Sequence, residues 1–169
     1  MKKLFSILLV SLFSFTLYAQ SNDVTLNIRL YPVQSIEVIG EDIVNLDYTT
    51  KYDYLNGVSS KKLNHLKVFS TGSFAIQVKS QSENLVLNGR SIPVSDVTII
   101  PTTSESGLDL SSKVLSVSDE IIASSSTGIV DKFIDIEYKA SGDYINKYVN
   151  SDGNPNVFST TVLYTIIPQ

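Results

Sequence analysis

His65 is the single imidazole of the chain, so nucleophilic catalysis assisted by histidine has one candidate base. Ser-His-Asp partners lie far apart in sequence, but no Gly-x-Ser-x-Gly elbow accompanies this residue. In Lys61-Lys62-Leu63-Asn64-His65-Leu66, alternation sets His65 beside Leu63 on a strand. The expectation is a partly buried or surface histidine. Carboxylates offer a second chemistry, because glycoside hydrolysis needs only two, and Glu41-Asp42, Asp119-Glu120 and Asp135-x-Glu137 are present. Asp135 and Glu137 fall on the polar side of an alternating segment, where water keeps a carboxylate ionised and supplies no general acid. Asp131, Asp135 and Glu137 lack the oxygen-rich loop with a glycine turn that calcium sites use. The chain has no Cys, which excludes disulfides and thiolate metal sites. The reading is a protein that is not an enzyme, with no catalytic residue, cofactor or metal.

Tyrosines carry a third chemistry. Tyr48, Tyr52, Tyr54, Tyr144 and Tyr148 flank expected turns, and an exposed phenol ring is a platform for a sugar. Tyr52 and Tyr54 share one face of a strand in this reading and are its candidate glycan contacts. The absence of Trp weakens the case. Thirteen Lys and Arg against 17 Asp and Glu give a net charge of −4 and a pI near 4.9, which offers nucleic acid no electrostatic footprint.

The elements that must position these groups are strands. Met1-Lys2-Lys3, the apolar run from Leu4 and the small-residue end at Ala19 read as a secretory signal peptide over 1–19. The run is too short and too interrupted by Ser6, Ser11 and Ser14 for a membrane span. Residues 20–169 then form one exported domain, periplasmic or at the cell surface. Period-two alternation recurs through it, and no window shows helical spacing. Strands are expected over 23–30, 33–39, 63–70, 73–79, 85–87, 92–100, 133–140 and 157–167, with polar connections at 102–107 and 123–128. Eight or nine strands with such turns predict an all-β, single Ig-like Greek-key β-sandwich.

The first strand is the most regular. Val24, Leu26, Ile28 and Leu30 alternate with Thr25, Asn27 and Arg29 and stop at Tyr31-Pro32. It either pairs within its own sheet or completes the sheet of another molecule. This segment, the stretch Val68-Phe69-Ser70-Thr71-Gly72-Ser73-Phe74-Ala75-Ile76-Gln77-Val78-Lys79 and the closing Ser159-Thr160-Thr161-Val162-Leu163-Tyr164-Thr165-Ile166-Ile167 together resemble fimbrial subunits of the alternative chaperone-usher, colonisation-factor-like type. The resemblance implies an incomplete Ig-like fold that polymerises by strand addition, with Val24, Leu26, Ile28 and Leu30 within a donor segment 20–31. The Cys pair of many pilins is missing. The expected role is a structural or adhesive surface subunit, its partner a protein or further copies of itself. The rival readings are a soluble carbohydrate-binding module and an accessory subunit of an outer-membrane or envelope complex.

Overall fold

The computed structural model describes residues 22–148 and 153–169. The expected signal peptide and the first two residues of the expected donor segment lie outside them. The described residues fall into two units, 22–30 and 31–169, and the strands belong to the second.

That fold is an all-β sandwich in which every ladder is antiparallel. Five strands form one sheet in the order β1-β2-β10-β6-β8, with β1 Gln34–Val38, β2 Val58–Ser70, β10 Ile129–Ala140, β6 Val97–Thr102 and β8 Lys113–Val114. Four form the other in the order β11-β3-β9-β7, with β11 Val162–Pro168, β3 Phe74–Ser80, β9 Glu120–Ser125 and β7 Asp109–Leu110. The chain crosses from one sheet to the other between β2 and β3 and at every step from β6 through β11, as Greek-key sandwiches do in part of their topology. A side hairpin joins β4 Asn84–Leu87 to β5 Arg90–Pro93. Its turn is Asn88-Gly89, with φ of 44° and 79°, the pair of positive angles that a two-residue hairpin twisted with its strands requires.

Alternation decides the core. Leu66, Val68, Ile99, Ile134 and Ile136 of the first sheet meet Phe74, Ile76, Val78 and Ile122 of the second, all essentially without solvent exposure. Their burial is the main stabilising term in a chain without cross-links.

Several elements depart from sequence expectation, each for a local reason. The run expected over 92–100 divides into β5, a 3₁₀ turn Val94–Asp96 and β6, because Pro93 has no N–H to offer a ladder. Ala123, Ser124 and Ser125, expected in a connection, belong to β9, and Ala123 and Ser125 are buried. The hydroxyl of Ser125 donates to Thr127 O, which lets it sit inside. A helix, α1 Lys51–Asn56, stands where Tyr52 and Tyr54 were placed on a strand. Thr50 starts it by a reciprocal cap, accepting from Asp53 N while Asp53 Oδ2 accepts from Thr50 N at 2.7 Å. Gly57 ends it at φ 85°, where a Cβ would lie 2.2 Å from Ala140 O.

His65 does not share a face with Leu63. It is 3% exposed while Leu63 is 70% exposed, because Asn64 takes the left-handed conformation at φ 51° and the β2–β10 register shifts between Ile134 and Ile136. Asp135 secures this bulge by accepting from Asn64 N at 2.8 Å and pairing with Lys61 at 3.1 Å. The Asn64 N–H first, and the Lys61 ammonium after it, hold the Asp135 carboxyl below its ordinary range. A lowered native pKa gives stability that is present above the unfolded value and is lost as pH falls through the native one. Urea midpoints should therefore fall from about pH 5 to about pH 3 in the wild type, and fall less in Asp135→Asn.

Candidate functional site

Residues 22–32 join no helix and no sheet ladder. Val24, Leu26, Ile28 and Leu30, expected in a strand, are 90%, 85%, 80% and 89% exposed. Four aliphatic side chains at alternate positions thus face water together, and burying them is worth roughly 6–12 kcal/mol before ordering costs, as an upper figure. Tyr31 is exposed as well. The first anchored residue is Val33, whose N–H donates to Thr71 Oγ1 and whose carbonyl accepts from Thr71 N.

The sandwich itself has one side where its core is left half covered. β1 and β11 are the terminal strands of their sheets and approach each other along this side. Ile36 on β1, followed by Val44, Leu46 and Tyr48, forms one bank. Phe158, then Val162, Tyr164 and Ile166 on β11, forms the other. All are only partly buried, and all but Phe158 pack against the core cluster.

Both banks have spare backbone. Residues 43–48 alternate between exposed and half-buried side chains as a strand does, yet among the described residues no backbone–backbone hydrogen bond involves 40–48. On the opposite bank Ser159 exchanges bonds with Val86, and Thr161 O accepts from Gln81 N, while among the described residues the backbones of Val157, Phe158 and Thr160 make no backbone–backbone bond. Unpaired donors and acceptors beside a half-covered core form an edge that an added strand satisfies.

Between 44–49 and 155–158 the margin widens into a cleft of about 320 Å³, floored by Leu85, Ile92, Val97 and Ala140. Tyr48, Tyr54, Tyr144 and Tyr148 line its end. The rings of Tyr48 and Tyr54 lie 5.5 Å apart and those of Tyr48 and Tyr144 5.1 Å apart. Tyr48 donates to Ser141 O, and Tyr144 donates to Asp96 Oδ2 at 3.1 Å. Burial pushes the Tyr144 phenol up to about 12 and raises Tyr48 as well, so both stay neutral donors. The hollow has aliphatic and aromatic walls that accept apolar side chains, with Asp47 and Lys147 also on its lining.

Tyr54 is thus part of the hollow, but Tyr52 is not. It is 71% exposed on α1, where positions two apart do not face each other. His65 is buried in the interior, with Nδ1 3.1 Å from Ile39 O and Nε2 3.1 Å from the Tyr138 hydroxyl. The bank at 43–48 was not among the expected strands, although Val44-Asn45-Leu46-Asp47-Tyr48 carries the alternation that would have marked it. Among the described residues no group of three His, Asp or Glu is placed to hold a metal ion, and no helix is long and apolar enough to cross a membrane.

A half-covered margin predicts a graded response to truncation. Ile134→Ala, in the closed core, should cost about 2–5 kcal/mol in urea denaturation. Leu46→Ala and Val162→Ala should each cost clearly less in the isolated subunit, since the wild-type side chains already meet water. A scan against protein-family models and a search of curated proteins found no match to this chain.

Proposed function

We propose that this chain is an exported structural or adhesive surface subunit, pilin-like, which assembles by giving residues 23–30 to the open margin of a neighbouring molecule. The supporting observation is the pairing of two unfinished surfaces in one chain. One is a segment with a row of exposed aliphatic groups, and the other a sandwich side with unpaired backbone and a half-covered core. At about 3.3 Å per residue, eight residues span about 26 Å, enough to run the length of the 43–48 bank. Main-chain bonds to the banks would give affinity, and the alternate side chains would enter the cleft.

Chain chemistry favours a neighbour over the segment's own domain. Only Tyr31 and Pro32 separate Leu30 from the anchored Val33. Folding back beside β1 needs a two-residue hairpin, which selects Asn-Gly or Gly-containing pairs with positive φ. Proline is fixed near −65° and lacks the N–H. Insertion into another copy needs no such reversal. The signal-peptide reading of 1–19 is consistent with delivery to the periplasm or the cell surface, where such subunits assemble.

A glycan-binding module is the second reading, and what favours it is the hollow that gathers Tyr48, Tyr54, Tyr144 and Tyr148. It requires a ligand to occupy the place that the strand would fill.

A double substitution separates the two. Leu26→Asp with Ile28→Asp changes only exposed side chains, so the thermal midpoint of the subunit should be unchanged. Sedimentation velocity should show concentration-dependent assembly in the wild type and its loss in the variant. Equal assembly by both proteins contradicts the strand-addition reading. Saturable glycan binding lost in Tyr54→Ala, with no assembly by the wild type, establishes the second.

A further inference from the structure

From Ile39, beside one bank, a line of polar groups runs through the buried His65 and Tyr138 to the partly buried Tyr164 on the other. The Ile39 backbone stands where the chain leaves β1 for the 43–48 bank, and it is held twice by His65: Ile39 N donates to His65 O at 2.7 Å, and Ile39 O lies 3.1 Å from Nδ1. Nε2 lies 3.1 Å from the Tyr138 hydroxyl on β10, which lies 2.8 Å from the Tyr164 hydroxyl on β11. A carbonyl only accepts, so Nδ1 carries a proton and donates it to Ile39 O. When Nε2 bears no proton it accepts from Tyr138, and Tyr138 accepts from Tyr164. The side-chain bonds in the line then run from Tyr164 toward Ile39, while Ile39 N donates back to His65 O.

We infer that His65, Tyr138 and Tyr164 are positioning residues that keep the two banks apart and in register, so that the margin is ready for an incoming strand before the strand arrives. This rests on the strand-addition reading above. A half-covered apolar margin gains by closing on itself, because the aliphatic side chains of its banks lose water when they meet. Three rigid rings joined at hydrogen-bond distance oppose that closure in a way aliphatic packing does not, since they bear on one another at fixed lengths and directions. The line belongs to no catalytic site. His65 has no carboxylate on it, and its two ring nitrogens are both spent on Ile39 and Tyr138. The groups it holds in place are the two ends of the surface that must pair.

A preorganised acceptor shows in the rate of uptake rather than in the lifetime of the product. A fluorescent peptide with the sequence of residues 22–31 is mixed with the full chain, and association and dissociation rates are measured by stopped flow and competition. Tyr164→Phe removes one hydroxyl and keeps the ring. His65→Leu removes both ring nitrogens, whereas His65→Gln retains one donor and one acceptor. Tyr164→Phe and His65→Leu should slow association about tenfold, as expected for the loss of one well-placed hydrogen bond from the preformed state. Dissociation should change by less than about twofold. His65→Gln should restore most of the association rate. Ile134→Val, a core change of similar modest cost away from the banks, should leave the rate as in the wild type and so removes general destabilisation as the cause. Wild-type association rates in both Tyr164→Phe and His65→Leu overturn the inference alone. No uptake by the wild type overturns the strand-addition reading, and the inference with it.

Discussion

The sheets of this protein bury Phe74, Ile76, Ile99, Ile122, Ile134 and Ile136 completely, but the same packing stops short along the side where β1 and β11 face each other. There Ile36, Val44, Leu46, Val162, Tyr164 and Ile166 stay only partly buried, and among the described residues no backbone–backbone hydrogen bond involves 40–48. A single domain of this size normally closes its core and pairs its edges, because unpaired edges invite association. An edge that invites association is a hazard in a protein meant to stay alone and a useful feature in one meant to join others.

The chain carries material suited to that gap. Val24, Leu26, Ile28 and Leu30 are as exposed as side chains in an unfolded peptide, and their spacing of two is the spacing at which side chains enter one face of a sheet. In the proposed assembly, one event would cover both a bare aliphatic row and a half-covered core, since one copy would lend its segment to another. The aromatic hollow at the far end and the line from Ile39 through His65 and Tyr138 to Tyr164 then have a common purpose in the proposed assembly. One receives side chains and the other keeps the receiving edges in place.

Most of the fold was legible because it rests on alternation. Ile134, Ile136, Tyr138 and Ala140 face inward as their spacing of two requires, and β3 lies close to its expected range, while β11, expected from 157, begins only at Val162. Legibility failed where local hydrogen bonding overrides periodicity. Asn64 adopts a left-handed backbone held by Asp135, a residue remote in sequence, and that contact turns His65 inward against its parity. The Thr50 and Asp53 cap produces a helix only six residues long, too short for a helical period to show, and so separates Tyr52 from Tyr54. For the candidate site, the alternation from Asp23 to Leu30 was readable, although those residues form no strand in the structure, while the proposed receiving margin was only half readable. The alternation of 44–48 is as regular as that of the donor, but nothing local distinguishes a segment that joins a sheet from one that merely lies along it. That difference depends on what β10 and β2 have already paired with, which only the assembled topology decides.

The central claim is that residues 23–30 of one copy occupy the margin of a second, and the absence of native cysteine allows this to be tested directly. One chain carries Ile28→Cys, and a separate chain carries Val44→Cys, Leu46→Cys or Tyr48→Cys in turn. The two are mixed under assembly conditions and oxidised. The account predicts a disulfide-linked heterodimer on a non-reducing gel for at least one of the three positions, lost when Leu26→Asp is added to the first chain. No cross-link at any of the three, in mixtures that have assembled, contradicts it.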